Sequence, residues 1–116
     1  MSVLLEISMF PTDKGESVSQ YVSQVVKMIK NTHPDYQLTP MGTVVETDNI
    51  RQALDLVERA YNVLDGLGCN RVYSVLKFDI RKGRTNRLLQ KIQSVTEKIG
   101  PVNTAATDTK KNNNVT

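Results

Sequence analysis

Few side chains in this chain are equipped to make or break bonds. His33 is the only histidine and stands in Asn31-Thr32-His33-Pro34, where a solvated helix cap is its expected role. Cys69 is the only cysteine, and its one cationic neighbour in sequence is Arg71; a nucleophile would need a base or cation beside it. The six glycines are isolated turn or cap residues, so no phosphate loop is present, and no metal-ligand spacing appears. The remaining polar candidates suit recognition better than catalysis. Glu46 could accept hydrogen bonds from an amine-bearing ring or offset a cationic one, or it could bridge to Arg71 across a sheet end. Ser17, with Ser19 close by, is either a helix N-cap or a hydroxyl facing a pocket. Asp79, flanked by Lys77 and Arg81 on one strand face, reads as a charge ladder across a subunit interface. With no acid/base pair and no nucleophile-base pair, the chain reads as a binder, not an enzyme.

The elements that must position these residues follow from periodicity. Val3 to Phe10 alternates as a strand, with Val3, Leu5, Ile7 and Met9 on one face and Leu4, Glu6, Ser8 and Phe10 on the other. Pro11 to Gly15 is a turn. A helix is predicted from Ser17, capped by that residue with Gln20 three positions on, its stripe Val18, Tyr21, Val22, Val25 and Ile29, ending at Pro34. Tyr36–Pro40 and Thr43–Glu46 are short strands around Met41-Gly42. Asp48 or Asn49 caps a second helix with the stripe Ile50, Leu54, Val57, Tyr61 and Leu64, stopped by Gly66 and Gly68. Arg71 to Arg81 alternates for eleven residues, and Leu88, Ile92, Val95 and Ile99 mark a third helix. From Gly100 the chain is almost free of large apolar residues, and 100–116 is predicted to be a disordered polar tail.

The order βαββαβ plus a terminal helix predicts a ferredoxin-like α+β domain over residues 1–99, its four-stranded antiparallel sheet in the order 4-1-3-2. If the first and third strands run as parallel neighbours, Phe10, Glu46 and Arg71 gather at one sheet end beside the start of the first helix. Thr43, Asp79 and Arg81 then fall at the other, so a site using both Thr43 and Glu46 needs a neighbouring chain. The open face (Leu4, Glu6, Ser8, Phe10, Tyr73, Val75 and Lys77) is too apolar for comfortable exposure, which predicts a homo-oligomer.

Composition excludes little else. A chain of 116 residues fits one domain, and a single cysteine rules out an internal disulfide and weakly favours a reducing compartment. Nothing approaches the roughly 18 apolar residues of a membrane span, and the chain reads as cytoplasmic. Net charge is +3, yet residues 71–91 carry seven Lys and Arg against Asp79 alone. Such a run could meet nucleic acid, but few aromatics share its side, so that reading ranks last.

Several segments together resemble a known family. Ser17-Val18-Ser19-Gln20-Tyr21-Val22, Tyr36 through Glu46 (including Pro40-Met41-Gly42-Thr43), Arg71-Val72, Lys77 through Arg81 and Lys91 through Val95 are similar to the small thiamine-binding proteins. The resemblance covers residues 3 to about 99. It implies a ferredoxin-like domain assembling into homodimers or homotetramers, and binding of thiamine or its hydroxymethylpyrimidine moiety without a known reaction. Thiamine would be a ligand, with no cofactor besides. On the residues above, it implies Ser17, Ser19, Thr43 and Glu46 as polar contacts, with Arg71 and Asp79 further candidates; Phe10 would hold the ring. The family commonly has Gly after the motif's glutamate, where this chain has Thr47-Asp48-Asn49. The competing expectation is a structural or regulatory module whose open sheet binds a partner protein.

Overall fold

The computed structural model describes residues 1–104. Its elements are β1 (Ser2–Pro11), α1 (Ser19–Thr32), β2 (Tyr36–Thr39), β3 (Gly42–Thr47), α2 (Ile50–Gly66), β4 (Val72–Arg81) and α3 (Arg87–Ile99). The sheet runs β2-β3-β1-β4, the 4-1-3-2 order read from the sequence, and every neighbouring pair is antiparallel. Residues 101–104 form no regular element. The rest of the expected tail lies outside the described residues. No described helix is long and apolar enough to cross a membrane.

Strand direction corrects one expectation. The α1 crossover lays β2 parallel to β1, and the tight hairpin reverses β3, so β3 must run antiparallel to β1. Glu46 therefore lies opposite Leu4 and Thr43 opposite Ile7, while Phe10 pairs with Tyr73. Glu46 and Phe10 are at opposite ends of the sheet, and Glu46 shares its end with Asp79.

The alternation of β1 sorts the layers as expected. Val3, Leu5, Ile7 and Met9 are buried under α1 and α2 with Val25, Ile29, Val45 and Leu56. The face of α2 differs from the sequence reading. Ala53, Leu56, Ala60 and Leu64 are buried, whereas Ile50, Leu54 and Tyr61 are exposed. Small alanines let the helix axis approach the sheet, and that close fit outweighs the larger residues' hydrophobicity. Gly42 obeys the same logic, since a Cβ there would stand 3.1 Å from the Ile7 carbonyl oxygen.

One of the two predicted helix caps forms. Asn49 caps α2, its Oδ1 accepting from the Gln52 amide at 2.9 Å, while Gln52 Oε1 accepts from the Asp48 amide. Ser17 caps nothing. α1 begins two residues later, with Val18 at its N-cap position and no side-chain cap; the Val18 carbonyl accepts from Tyr21 and Val22.

Candidate functional site

At the Glu46 end, α3 lies across the open face of the sheet. Asn86 before it adopts a left-handed conformation and supplies no side-chain cap. The missing acceptor comes from β3. Glu46 Oε2 accepts from the Arg87 amide and Oε1 from the Leu88 amide, each at 3.0 Å, and the Ser2 hydroxyl donates to Oε2 at 2.6 Å. A carboxylate at a helix N-terminus also meets the positive end of the helix dipole. Burial pushes the Glu46 carboxyl up, but the Ser2, Leu88 and Arg87 hydrogen bonds and the Arg87 charge outweigh it and hold it below the ordinary range.

Arg87 completes this junction. Its side chain is buried, and Nη1 donates to the carbonyls of Ser2 (3.2 Å) and Asp79 (2.8 Å) while Nη2 meets the Asp79 carboxylate. Lys91 reaches the same carboxylate at 2.8 Å. Hydrogen bonds from Lys91 and Arg87 keep Asp79 below the usual aspartate value. Glu46 thus bonds Ser2 and α3, not Arg71, which is exposed at the far end and accepts through its carbonyl from the Thr12 amide. Sequence reasoning missed Arg87. Its only local signal is a basic residue at a helix start, where the dipole disfavours one.

The Phe10 end is built differently. A groove of about 320 Å³ opens between α1 and the tip of the β2–β3 hairpin. Val18, Val22 and Val26 form one wall, Leu38 and Pro40 to Thr43 the other, and Ile7 to Phe10 lie between. The tip is held by Thr39, whose Oγ1 donates to the Gly42 carbonyl at 2.8 Å and accepts from the Met41 amide. Thr43 is buried, on the helix-facing side of β3. Ser17 and Ser19 are exposed and flank Val18 at the groove's rim. The Phe10 ring packs on Tyr73 (centroids 5.7 Å apart, 42° between planes) on the face of the sheet turned away from α1, so the residue meets the groove only at its edge.

This groove exists because β1 outruns its partner. The β1–β3 pairing ends at Ile7–Thr43, while β4 accompanies β1 to Pro11. Arg87 reaches the Ser2 and Asp79 carbonyls together, so both lie between β1 and β4. Even-numbered residues of β1 thus bond toward β4 and odd-numbered ones toward β3. Met9 is odd-numbered, and β3 has no residue opposite it. Its N–H and C=O point to the side where the hairpin has already turned away. The length mismatch between ten-residue β1 and six-residue β3 was the available sequence signal.

Cys69 is a buried free thiol within the core cluster. His33 ends α1, with Nδ1 2.7 Å from Thr32 Oγ1; burial lowers its pKa, Arg59 adding to the effect and Asp55 opposing it. The basic run is divided, since Arg71 is at one end, Arg87 is buried and Lys91 is paired.

A ferredoxin-like α+β domain with an apolar groove at a hairpin tip is therefore the class of molecule defined. Residues 5–96 match the model of a family described as thiamine-binding protein, and the chain belongs to that family. It is 31% identical over 98 residues to a UPF0045 protein of Methanothermobacter thermautotrophicus (84% of this chain, 99% of the relative). The crystal structure of a hypothetical protein from Methanocaldococcus jannaschii superposes with a TM-score of 0.71 at 33% identity, covering 83% of this chain and 97% of that one. A Thermotoga maritima protein provisionally assigned to thiamine biosynthesis or salvage shares the fold, with TM-score 0.65, 18% identity and coverage of 85% and 96%.

Proposed function

We propose that the protein binds thiamine or its hydroxymethylpyrimidine moiety in the groove between α1 and the hairpin tip, as a homo-oligomeric carrier, buffer or sensor that catalyses no reaction. The observation that carries this reading is convergence. Val18 and Val22 of the Ser17–Val22 segment and Pro40–Thr43, from two of the segments that carry the family resemblance, are distant in sequence yet lie on facing walls of one groove. Its volume falls in the roughly 300–1,000 Å³ range of small-molecule sites.

The recognition chemistry follows from the lining. Valines of α1 and Met41 offer apolar surface to the ring faces. An aminopyrimidine carries an amine donor beside a ring-nitrogen acceptor, and Met9 presents a carbonyl and an amide on one side of its strand to meet them. Thr43 adds a hydroxyl. Glu46 and Asp79 hold α3 and act on the ligand only through the fold. A cytoplasmic location accords with the lone reduced cysteine.

Calorimetric titration of the full chain with thiamine and with hydroxymethylpyrimidine tests the reading. Saturable binding of at least one is expected, abolished by Val22→Arg with the circular dichroism spectrum unchanged. No heat and no competition up to millimolar ligand would overturn it.

A further inference from the structure

A second groove, of about 440 Å³, lies on the opposite side of the sheet from the α1 groove, where α3 crosses the open face. Leu4 and Val44 line it from the sheet, Leu88 and Ile92 from α3. Its polar side is a single cross-strand row, because Gln37 pairs with Val44, Val44 with Glu6 and Glu6 with Lys77. Within that row Lys77 Nζ stands 3.6 Å from Glu6 Oε1, so the two charges face each other beyond hydrogen-bond distance. Lys91 and Arg87, nearby, are both engaged with the Asp79 carboxylate. An exposed, loose pair such as Glu6–Lys77 contributes little to folding, and opening it costs little.

We propose that this groove is a binding site for an apolar α-amino acid, separate from the pyrimidine site and independent of it. Glu6 receives the α-ammonium, Lys77 the α-carboxylate, and the side chain enters between the sheet and α3. An α-carbon holds its two charged groups side by side, as the paired strands hold Glu6 and Lys77. Two charge-assisted hydrogen bonds then replace one loose ion pair. The ligand's side chain meanwhile covers apolar surface of Leu4, Val44, Leu88 and Ile92. The same row selects against simpler ligands. A plain carboxylate would lie against Glu6 and a plain amine against Lys77, and each like-charge contact disfavours binding. Glycine has the matching head group but nothing to set against the apolar walls.

Nitrogen–proton correlation spectra of the full chain, titrated with L-leucine and with L-phenylalanine, test the site. Saturable shifts are expected at Val44, Lys77, Leu88 and Ile92, with the amides of Val18 and Val22 unmoved. Glycine, isocaproate and isoamylamine lack in turn the side chain, the ammonium and the carboxylate of leucine. Each should bind at least ~10-fold more weakly than leucine does. Glu6→Gln should weaken leucine about 10-fold without weakening isocaproate, and Lys77→Gln should weaken leucine about 10-fold without weakening isoamylamine. No saturable shift with either amino acid up to millimolar concentration overturns the proposal, as does leucine binding that neither substitution weakens. Shifts confined to the α1 groove overturn it as well. Thiamine affinity is expected to be unchanged in both variants, so failure here leaves the pyrimidine reading standing.

Discussion

The two ends of β1 sit in contrasting environments. At the Ser2 end, strand and helix termini are tied by Glu46, Arg87 and Asp79, each hydrogen-bonded to its neighbours. At the Met9 end, apolar side chains surround a strand whose pairing has run out on one side. The more conspicuous charged cluster is the one already bonded within the fold, Glu46 through both carboxylate oxygens and Asp79 through Oδ2. Ligand recognition needs polar groups still open to a guest, and an apolar surface that gains by covering them. Under the function proposed above, the two ends divide the work, one fixing α3 and the other receiving a ring.

The strongest way to break this division is Glu46→Ala. It leaves the amides of Arg87 and Leu88 and the Ser2 hydroxyl without their acceptor, and removes the only side-chain cap α3 has. A loss of about 1–3 kcal/mol in unfolding free energy is expected from denaturant titration. Thiamine affinity, measured under conditions where the variant stays folded, should change little. A variant of wild-type stability that no longer binds would return Glu46 to the ligand site.

Acid should loosen the same junction more gently. The Glu46 carboxyl is held below its ordinary value of 4.5, so the folded state binds its proton less readily than the unfolded chain does. Its contribution is fully present above that value and is lost as pH falls from there through the depressed folded value. Asp79, also lowered, adds to the loss at the acid end of the same window. Stability of the wild type should therefore fall below about pH 4.5, and Glu46→Gln should flatten the first part of that decline. Parallel pH profiles for the two proteins would remove Glu46 from the account.

What was legible in the sequence shares a cause with what was not. Period-two alternation in β1, a cap at Asp48 or Asn49 and the βαββαβ order are local patterns, and each appears in the structure, with Asn49 as the cap. The buried face of α2 was misread because alanine gives a weak apolar signal, although Ala53 and Ala60 are what allow close packing. Ser17 fits the composition of a capping box, yet the chain turns helical only after Val18. The role of Glu46 leaves no local trace, since a cap supplied across some 40 residues has no spacing to detect. Its position at the Asp79 end was nevertheless implicit in the topology, because crossover and hairpin together force β1 and β3 antiparallel.

The finest probe of the contrast is Thr43→Val. The substitution keeps size and branching at a buried position, and the backbone pairing of Thr43 with Ile7 does not depend on its hydroxyl. At the Glu46 end, deleting a polar group strips partners that fold the protein; here it removes one polar atom from a mainly apolar lining. Stability should hold within about 0.5 kcal/mol, while affinity for the pyrimidine falls by roughly 2- to 10-fold, the worth of one neutral hydrogen bond. Calorimetry and thermal unfolding on one preparation separate the two effects. Unchanged affinity would leave Met9's backbone and the apolar walls as the whole of the site. A drop in stability with no change in binding would make Thr43 part of the frame, like the residues at the other end of β1.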